Sequence, residues 1–387
     1  MKIAIAIERF SVTGGGAESY AVELARTLVS VGWEVHMYGH SWDQDPKAAV
    51  FHRIPELPKW VPPSIRILHF ALRHKAMVSR EQFDVILGFG NTMAMNVYQS
   101  HGGVHYMSNI RKLRAVENPA LRFLKTLSLF ATPKYHARAW IESAPFRAQQ
   151  HPVIIAISDM VGNDIAHCFG IEKDDIRLVY NGIDAKRFAR GAHKERVELR
   201  ERLGMDREVV FLFMAYDFRK KGVKHLIQAA GVLRRRVGPG RFRVLIVGGS
   251  PSPSLSKQVR RLDLGDVVTF HGPTKEPEAF YGACDVFTLP TFYDACSLVV
   301  FEAMAAGLPT ITTVFNGASG IISHGVDGAV LQDPGNVAEI ADAMETFLDE
   351  KLLEAASAAA IRTASKYTLE HNHEQMIKIF DEVAGRR

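Results

Sequence analysis

DVFTLPTFYDACSLVVFEAMAAGLPTITT (285–313) contains three kinds of segment in a fixed order. DVFTLP (285–290) is a short apolar run rich in β-branched and aromatic residues that ends on proline, as a buried strand does. LVVFEAMAAG (298–307) has the length of a helix and stops at a glycine. PTITT (309–313) is a second strand. Strand, helix, strand in succession implies neighbouring parallel strands with the helix crossing over between them.

The same alternation extends in both directions. VVFLFM (209–214), RVLIVG (243–248) and DVVTFHG (266–272) are strands, and VKHLIQAAGVLRRRV (223–237) is a helix between two of them. In the first half KIAIAI (2–7), EVHMYG (34–39), DVILGF (84–89) and VIIAIS (153–158) are strands, with a helix over 17–30. The expected fold is α/β: two Rossmann-like domains, each a parallel sheet with helices on both faces, facing one another across an interdomain cleft. A chain of 387 residues fits two domains at roughly 150 residues each. The break is expected near residue 175, giving domains over 1–175 and 176–368. An amphipathic helix at about 369–387 returns to the first.

Composition narrows the class. Hydrophobic residues make up 47% and charged residues 23%, so each half can bury its own core. Three cysteines, Cys168, Cys284 and Cys296, lack metal-ligand spacing, which argues against a disulfide framework or a structural zinc. Ile3–Ile7 is too short for a signal-peptide core and no run approaches a membrane span, so a cytoplasmic protein is expected. The net charge is +5, yet residues 105–147 alone hold eight Lys or Arg against two Glu. LRFLKTLSLF within this stretch has the pattern of an interfacial amphipathic helix. Docking on an anionic membrane surface is the favoured reading of 105–147, and no nucleic-acid module accompanies it.

Chemistry is expected in loops at the carboxyl ends of strands. Gly14–Gly16 precede a helix, where backbone amides suit a phosphate. Ser19 stands where a dinucleotide fingerprint needs glycine, and Tyr38–Gly39 where it needs an acid, so an NAD site is disfavoured. Arg219, Lys220 and Lys221 follow VVFLFM and suit a diphosphate. Asp294 lies in a loop, with the amides of Ser297, Leu298 and Val299 at the following helix start and Glu302 a turn beyond. A carboxylate so placed can accept hydrogen bonds from vicinal sugar hydroxyls. Asp43-Gln44-Asp45 is formally an Asp-x-Asp metal motif but reads as a surface loop.

The order GGG–helix, NGID (181–184), RKKG (219–222), then Asp-x7-Glu (294–302) followed by AMAAGLP (303–309) resembles the retaining glycosyltransferases of family four, over about residues 1–380. That family has the two-domain GT-B architecture. Within it, HMYGHSWDQDPKA (36–48), the run from DVILGFGNTMAMNVYQ (84–99) to GGVHY (102–106), and YDFRKKG (216–222) are most similar to lipopolysaccharide core glucosyltransferases. The resemblance implies a UDP-sugar donor and a glycolipid or oligosaccharide acceptor, with no metal and no cofactor. It implies that Gly15 and Gly16 approach the donor, that Arg219, Lys220 and Lys221 neutralise the departing diphosphate, and that Ser297, Leu298 and Val299 offer amides. Glu302 would hold the ribose, Asp294 the transferred sugar, and His101 would lie near that sugar. Asp294 replaces the family's usual glutamate, and Pro273 stands where an arginine near the base is often found, which leaves sugar and base open. A nucleotide-sugar epimerase of this fold and a catalytically degenerate sugar-binding protein are the alternative readings.

Overall fold

The computed structural model describes residues 1–12, 14–43, 48–147, 151–194, 196–205 and 207–385, with only the backbone of 190–194. The chain divides into two compact units, Met1–Tyr180 with Glu370–Arg387, and Asn181–Leu369. The division falls a few residues beyond the expected position near 175. The reason is a strand the sequence hides: Ile176–Leu178 pairs in parallel with Val153–Ala156 and closes the edge of the first sheet.

The first unit carries a seven-stranded sheet. Its order is Val50–Arg53, Glu34–Gly39, Lys2–Ala6, Val85–Gly88, Val97–Gln99, Val153–Ala156, Ile176–Leu178. Every pairing is parallel. Ile3, Ala4, Ile5 and Ala6 are completely buried, because helices cover both faces of a parallel sheet and leave no polar side. The C-terminal helix Leu369–Ala384 contributes Met376, Ile379, Phe380 and Val383 to this core. Asn372 and His373 bind it further, Asn372 accepting from the Tyr20 hydroxyl at 3.0 Å and His373 Nδ1 lying 2.8 Å from Thr27 Oγ1.

The second unit carries six parallel strands in the order Val268–Gly272, Phe242–Gly248, Val209–Ala215, Val286–Leu289, Thr310–Thr313, Gly328–Leu331. Phe287 pairs with Thr310 in register, and Leu298–Ala305 is the crossover helix between those strands. Gly307 ends that helix at φ 82°, a left-handed conformation that favours glycine.

Both sheets are doubly wound. In each, the order reverses beside the strand that comes first in the sequence, between Lys2–Ala6 and Val85–Gly88 in one and between Val209–Ala215 and Val286–Leu289 in the other. Ligands of such sheets bind beyond the carboxyl ends of the strands at that switch point. The loops holding Gly14–Gly16 and Arg219–Lys221 follow the first strand of each pair. The loop holding Asp294 follows the second strand of the second pair.

The basic stretch 105–147 is not one surface. It folds as helices His105–Leu113, Pro119–Phe130 and Pro133–Ser143 and a turn, Pro145–Arg147. The third buries Tyr135, Ala137 and Ile141, and Arg111 of the first forms a partly buried pair with Asp164 at 2.5 Å. Only Pro119–Phe130 buries no residue at all. It leaves Phe123 63% and Leu124 60% exposed, flanked by exposed Leu121 and Leu127. No helix among the described residues is long and apolar enough to cross a membrane.

Candidate active site

In the second unit two loops are joined directly. Phe292 N–H donates to Lys220 O at 2.9 Å, and Thr291 Oγ1 donates to the same oxygen at 3.3 Å. Gly222, at φ 78°, lies under this junction, and a Cβ there would run into the carbonyl oxygen of Pro290. The close approach of the two loops therefore requires glycine. Its consequence is that the Lys221 ammonium donates to the Asp294 carboxylate. Asp294 is held from behind: its N–H donates to Phe315 O at 2.9 Å and its carbonyl accepts from Gly317 N–H at 2.8 Å.

The three cations meet different surroundings. Lys221 meets Asp294, Lys220 pairs with Asp217 at 2.7 Å, and Arg219 is exposed. An i,i+3 pair at the surface holds Lys220 locally, which a reading of three equivalent charges does not anticipate.

The helix Leu298–Ala305 begins where LVVFEAMAAG begins, with Ser297 as its N-cap. Ser297 N–H donates to Asn316 Oδ1 at 3.3 Å, so this amide is already engaged. Leu298 and Val299 occupy the first two helical positions, whose amides have no intrahelical partner. Glu302 lies a turn further on. It accepts from the buried Tyr281 hydroxyl at 2.8 Å, and burial raises its carboxyl above the ordinary range. Tyr281 was invisible in the sequence as a functional group, because EAFYGACDVF (278–287) reads as core packing. Asn316, which also accepts from Ala318 N–H at 3.1 Å, was hidden likewise.

In the first unit the glycine loop caps its helix, Gly16–Ser30. Gly15 N–H donates to the Glu18 carboxylate, and Glu18 N–H returns a bond to Gly15 O at 3.0 Å. Gly15 has φ −72°, so no left-handed turn demands glycine here. A Cβ on Gly15 would meet only the mobile end of the Glu18 side chain, whereas one on Gly14 would also meet Ser11 Cβ at 2.9 Å. Gly16 is the first residue of the helix. His101 follows the strand Val97–Gln99, with ring centroids 4.5 Å from Tyr20 and 5.0 Å from Phe89. Burial pushes its pKa down to about 3, so the ring is neutral, and Nε2 has no partner among the described residues. Asp43 is exposed, whereas Gln44 and Asp45 of the Asp-x-Asp run lie outside the described residues.

Comparison with known proteins follows this geometry. The model for "Glycosyltransferase Family 4" matches residues 14–187, and that for "Glycosyl transferases group 1" matches 195–366. The D-inositol 3-phosphate glycosyltransferase of Pseudarthrobacter chlorophenolicus is 28% identical over 385 residues, covering 90% of this chain and 86% of its own. The lipopolysaccharide glucosyltransferase WaaG of Escherichia coli is 22% identical over 90% of both chains. A crystal structure of WaaG superposes with a TM-score of 0.79 at 21% identity, over 98% of this chain and 99% of that one. A structure of Anabaena HepE with UDP and glucose superposes at 0.69 and 18% identity, over 98% and 99% of the two chains.

Proposed function

Since the chain belongs to the family-four glycosyltransferases of the GT-B fold, we propose that it moves a hexose, glucose in the first instance, from a UDP-sugar to a membrane-associated glycolipid acceptor, with retention. The observation that carries this reading is the cluster at the second unit's switch point: Lys221 against Asp294, the amides of Leu298 and Val299, and Glu302. Helix amides and an ammonium suit a diphosphate. Glu302, with Tyr281 on one oxygen, keeps the other available for the ribose hydroxyls, and Asp294 faces the transferred sugar. UDP and glucose in HepE, and the names of WaaG and of the inositol phosphate enzyme, support a UDP-hexose and a hydroxyl acceptor.

In the reaction the bond from the sugar's anomeric carbon to the diphosphate oxygen breaks. The acceptor oxygen attacks on the same face, and its proton passes to the departing diphosphate. Lys221, helped by Arg219 and Lys220 once the donor is bound, stabilises the charge that develops. Gly15 and Gly16 admit the donor when Glu18 yields its hold on the loop. His101, neutral, acts by hydrogen bonding and not as a cation. The reading needs no metal and no cofactor beyond the donor. It places the protein in the cytoplasm, with Pro119–Phe130 resting on the inner membrane face through its exposed Phe123 and Leu124.

A panel of nucleotide sugars tests the function. Slow release of free nucleotide, fastest with UDP-glucose and unaffected by EDTA, is the expected result. Conversion of the donor to an epimer would replace this reading with an isomerase, and tight binding with neither outcome would replace it with a sugar-binding protein. Flotation with vesicles is expected only when they contain anionic lipid.

A further inference from the structure

Near the amino ends of the first unit's strands, side chains from three separate segments converge. His36 is in the strand Glu34–Gly39 and His52 in the edge strand Val50–Arg53. Glu81 lies between the helix Pro63–Val78 and the strand Val85–Gly88. One ring nitrogen of each histidine and one oxygen of Glu81 all lie within 4.8 Å of one another. The sheet register brings the histidines together. Tyr38 is paired with His52, and His36, two residues before Tyr38, shares its face of the sheet and is the diagonal neighbour of His52. The two imidazoles stack with centroids 4.9 Å apart.

The hydrogen bonds orient the donors. His36 is 5% exposed. Its Nε2 lies 2.8 Å from Glu34 Oε1, an acceptor, so Nε2 carries the proton. In the neutral ring Nδ1 is then a bare lone pair. It faces His52 Nε2 at 2.7 Å and Glu81 Oε2 at 3.7 Å. A histidine whose far nitrogen is fixed by a carboxylate has the arrangement of a metal ligand. Donors about 2.0–2.2 Å from a tetrahedral ion lie roughly 3.3 Å from each other, so both separations are within about 0.6 Å of that requirement. The proton between the two rings belongs to His52 Nε2. Coordination moves it to Nδ1 of the same ring, so both facing nitrogens offer lone pairs and no proton is lost. Lys2 Nζ lies 3.1 Å from Glu34 and 3.1 Å from Glu81, where it competes with a cation for the Glu81 carboxylate.

We propose that His36, His52 and Glu81 bind a divalent transition metal of the zinc class, with Glu34 behind His36 and a water in the fourth position. Two imidazoles and one carboxylate suit zinc, whereas magnesium and calcium take oxygen ligands. The cysteines of the chain argue against a zinc site, but none is needed here. The ion would tie the edge strand Val50–Arg53 to its neighbour and to the turn after the helix Pro63–Val78. It would stabilise the first unit and take no part in the transfer, whose loops follow the opposite, carboxyl ends of the strands.

The test is calorimetric titration of the untagged full chain, stripped with EDTA and exchanged into chelator-free buffer, with zinc chloride and separately with magnesium chloride. One zinc per chain and no magnesium is the expected result. Zinc at 100 times its Kd should raise the melting temperature by about 5–10 °C. His52→Ala and Glu81→Ala should each weaken zinc about a hundred-fold, and Glu34→Gln about ten-fold. Lys2→Met should tighten it, because the competing ammonium is gone. A native chain that binds no zinc overturns the proposal. So does zinc binding that both alanine variants leave unchanged, since other side chains would then hold the ion. If the alanine variants fail to fold, Glu34→Gln and Lys2→Met still decide. Shifts of opposite sign place the ion at this cluster, and affinities equal to the native value remove it.

Discussion

The two units share one architecture, but the polar groups named for their sites are satisfied to different degrees. In the second, the groups at the switch point hold each other: Lys221 with Asp294, Lys220 with Asp217, Tyr281 with Glu302. In the first, Ser100 Oγ and His101 Nε2 are buried without partners among the described residues. Paired charges are preorganised and cost little to keep ready for a strongly charged ligand. Orphaned neutral groups cost stability until a ligand satisfies them. The proposed diphosphate site thus lies where charges are already paired, while the first unit keeps buried hydrogen-bonding groups unsatisfied.

The largest expected effect breaks the second unit's ion pair. Lys221→Ala should lower turnover about 10²–10³-fold, as loss of a preorganised donor does. Unchanged kcat for nucleotide release would reduce the Lys221–Asp294 pair to a structural contact. Glu302→Ala comes next. Loss of a charge-assisted bond to the ribose, about 1.5–3 kcal/mol, should lower kcat/KM for the donor roughly 10–100-fold, mostly through KM. A fall in kcat alone would place Glu302 at the reacting sugar instead. Tyr281→Phe should cost less, a factor of about 3–10 in donor kcat/KM, since the bond it removes positions Glu302 and does not itself touch the donor. An effect as large as that of Glu302→Ala would mean that Tyr281 does more than position it.

The smallest effect concerns stability in the first unit. Glu142 titrates near 7 in the folded chain and about 4.3 unfolded. Its folded pKa is raised, so the unfolded chain ionises first as pH climbs. The stability present below about pH 4 is lost progressively until pH passes 7. Glu142→Gln keeps the acceptor for His105 N–H and removes the titration. It should melt like the native protein at pH 4 and higher at pH 8, by about 3–8 °C for ~1–3 kcal/mol. Equal melting at both values would show that Glu142 is solvated.

Much of this was legible in the residues. KIAIAI, VVFLFM and RVLIVG identify themselves as buried parallel strands because both of their faces are apolar. The strand Ile176–Leu178 was not, since an edge strand with Arg177 and Leu178 exposed carries no such run. Lys221, Asp294 and Glu302 announced themselves as charges at strand and helix ends. Tyr281 and Asn316 did not, because an aromatic in an apolar run and an asparagine in a loop are ordinary until a partner is seen. The basic stretch misled in part. Its charge excess is real, but Arg111 turns inward to Asp164 and Lys112 and Arg138 line a cavity, leaving Pro119–Phe130 to present apolar side chains outward.

The segment 285–313 determined by itself the strand, the crossover helix, the parallel class and the carboxylates eight positions apart, because these depend on local periodicity and spacing. Tertiary structure alone decided that Lys221, seventy-three positions before Asp294, would be its partner, and that Tyr281 would hold Glu302. Those pairings depend on which strands adjoin and on a glycine that lets two loops touch. Neighbouring positions in the chain do not encode contacts of that range.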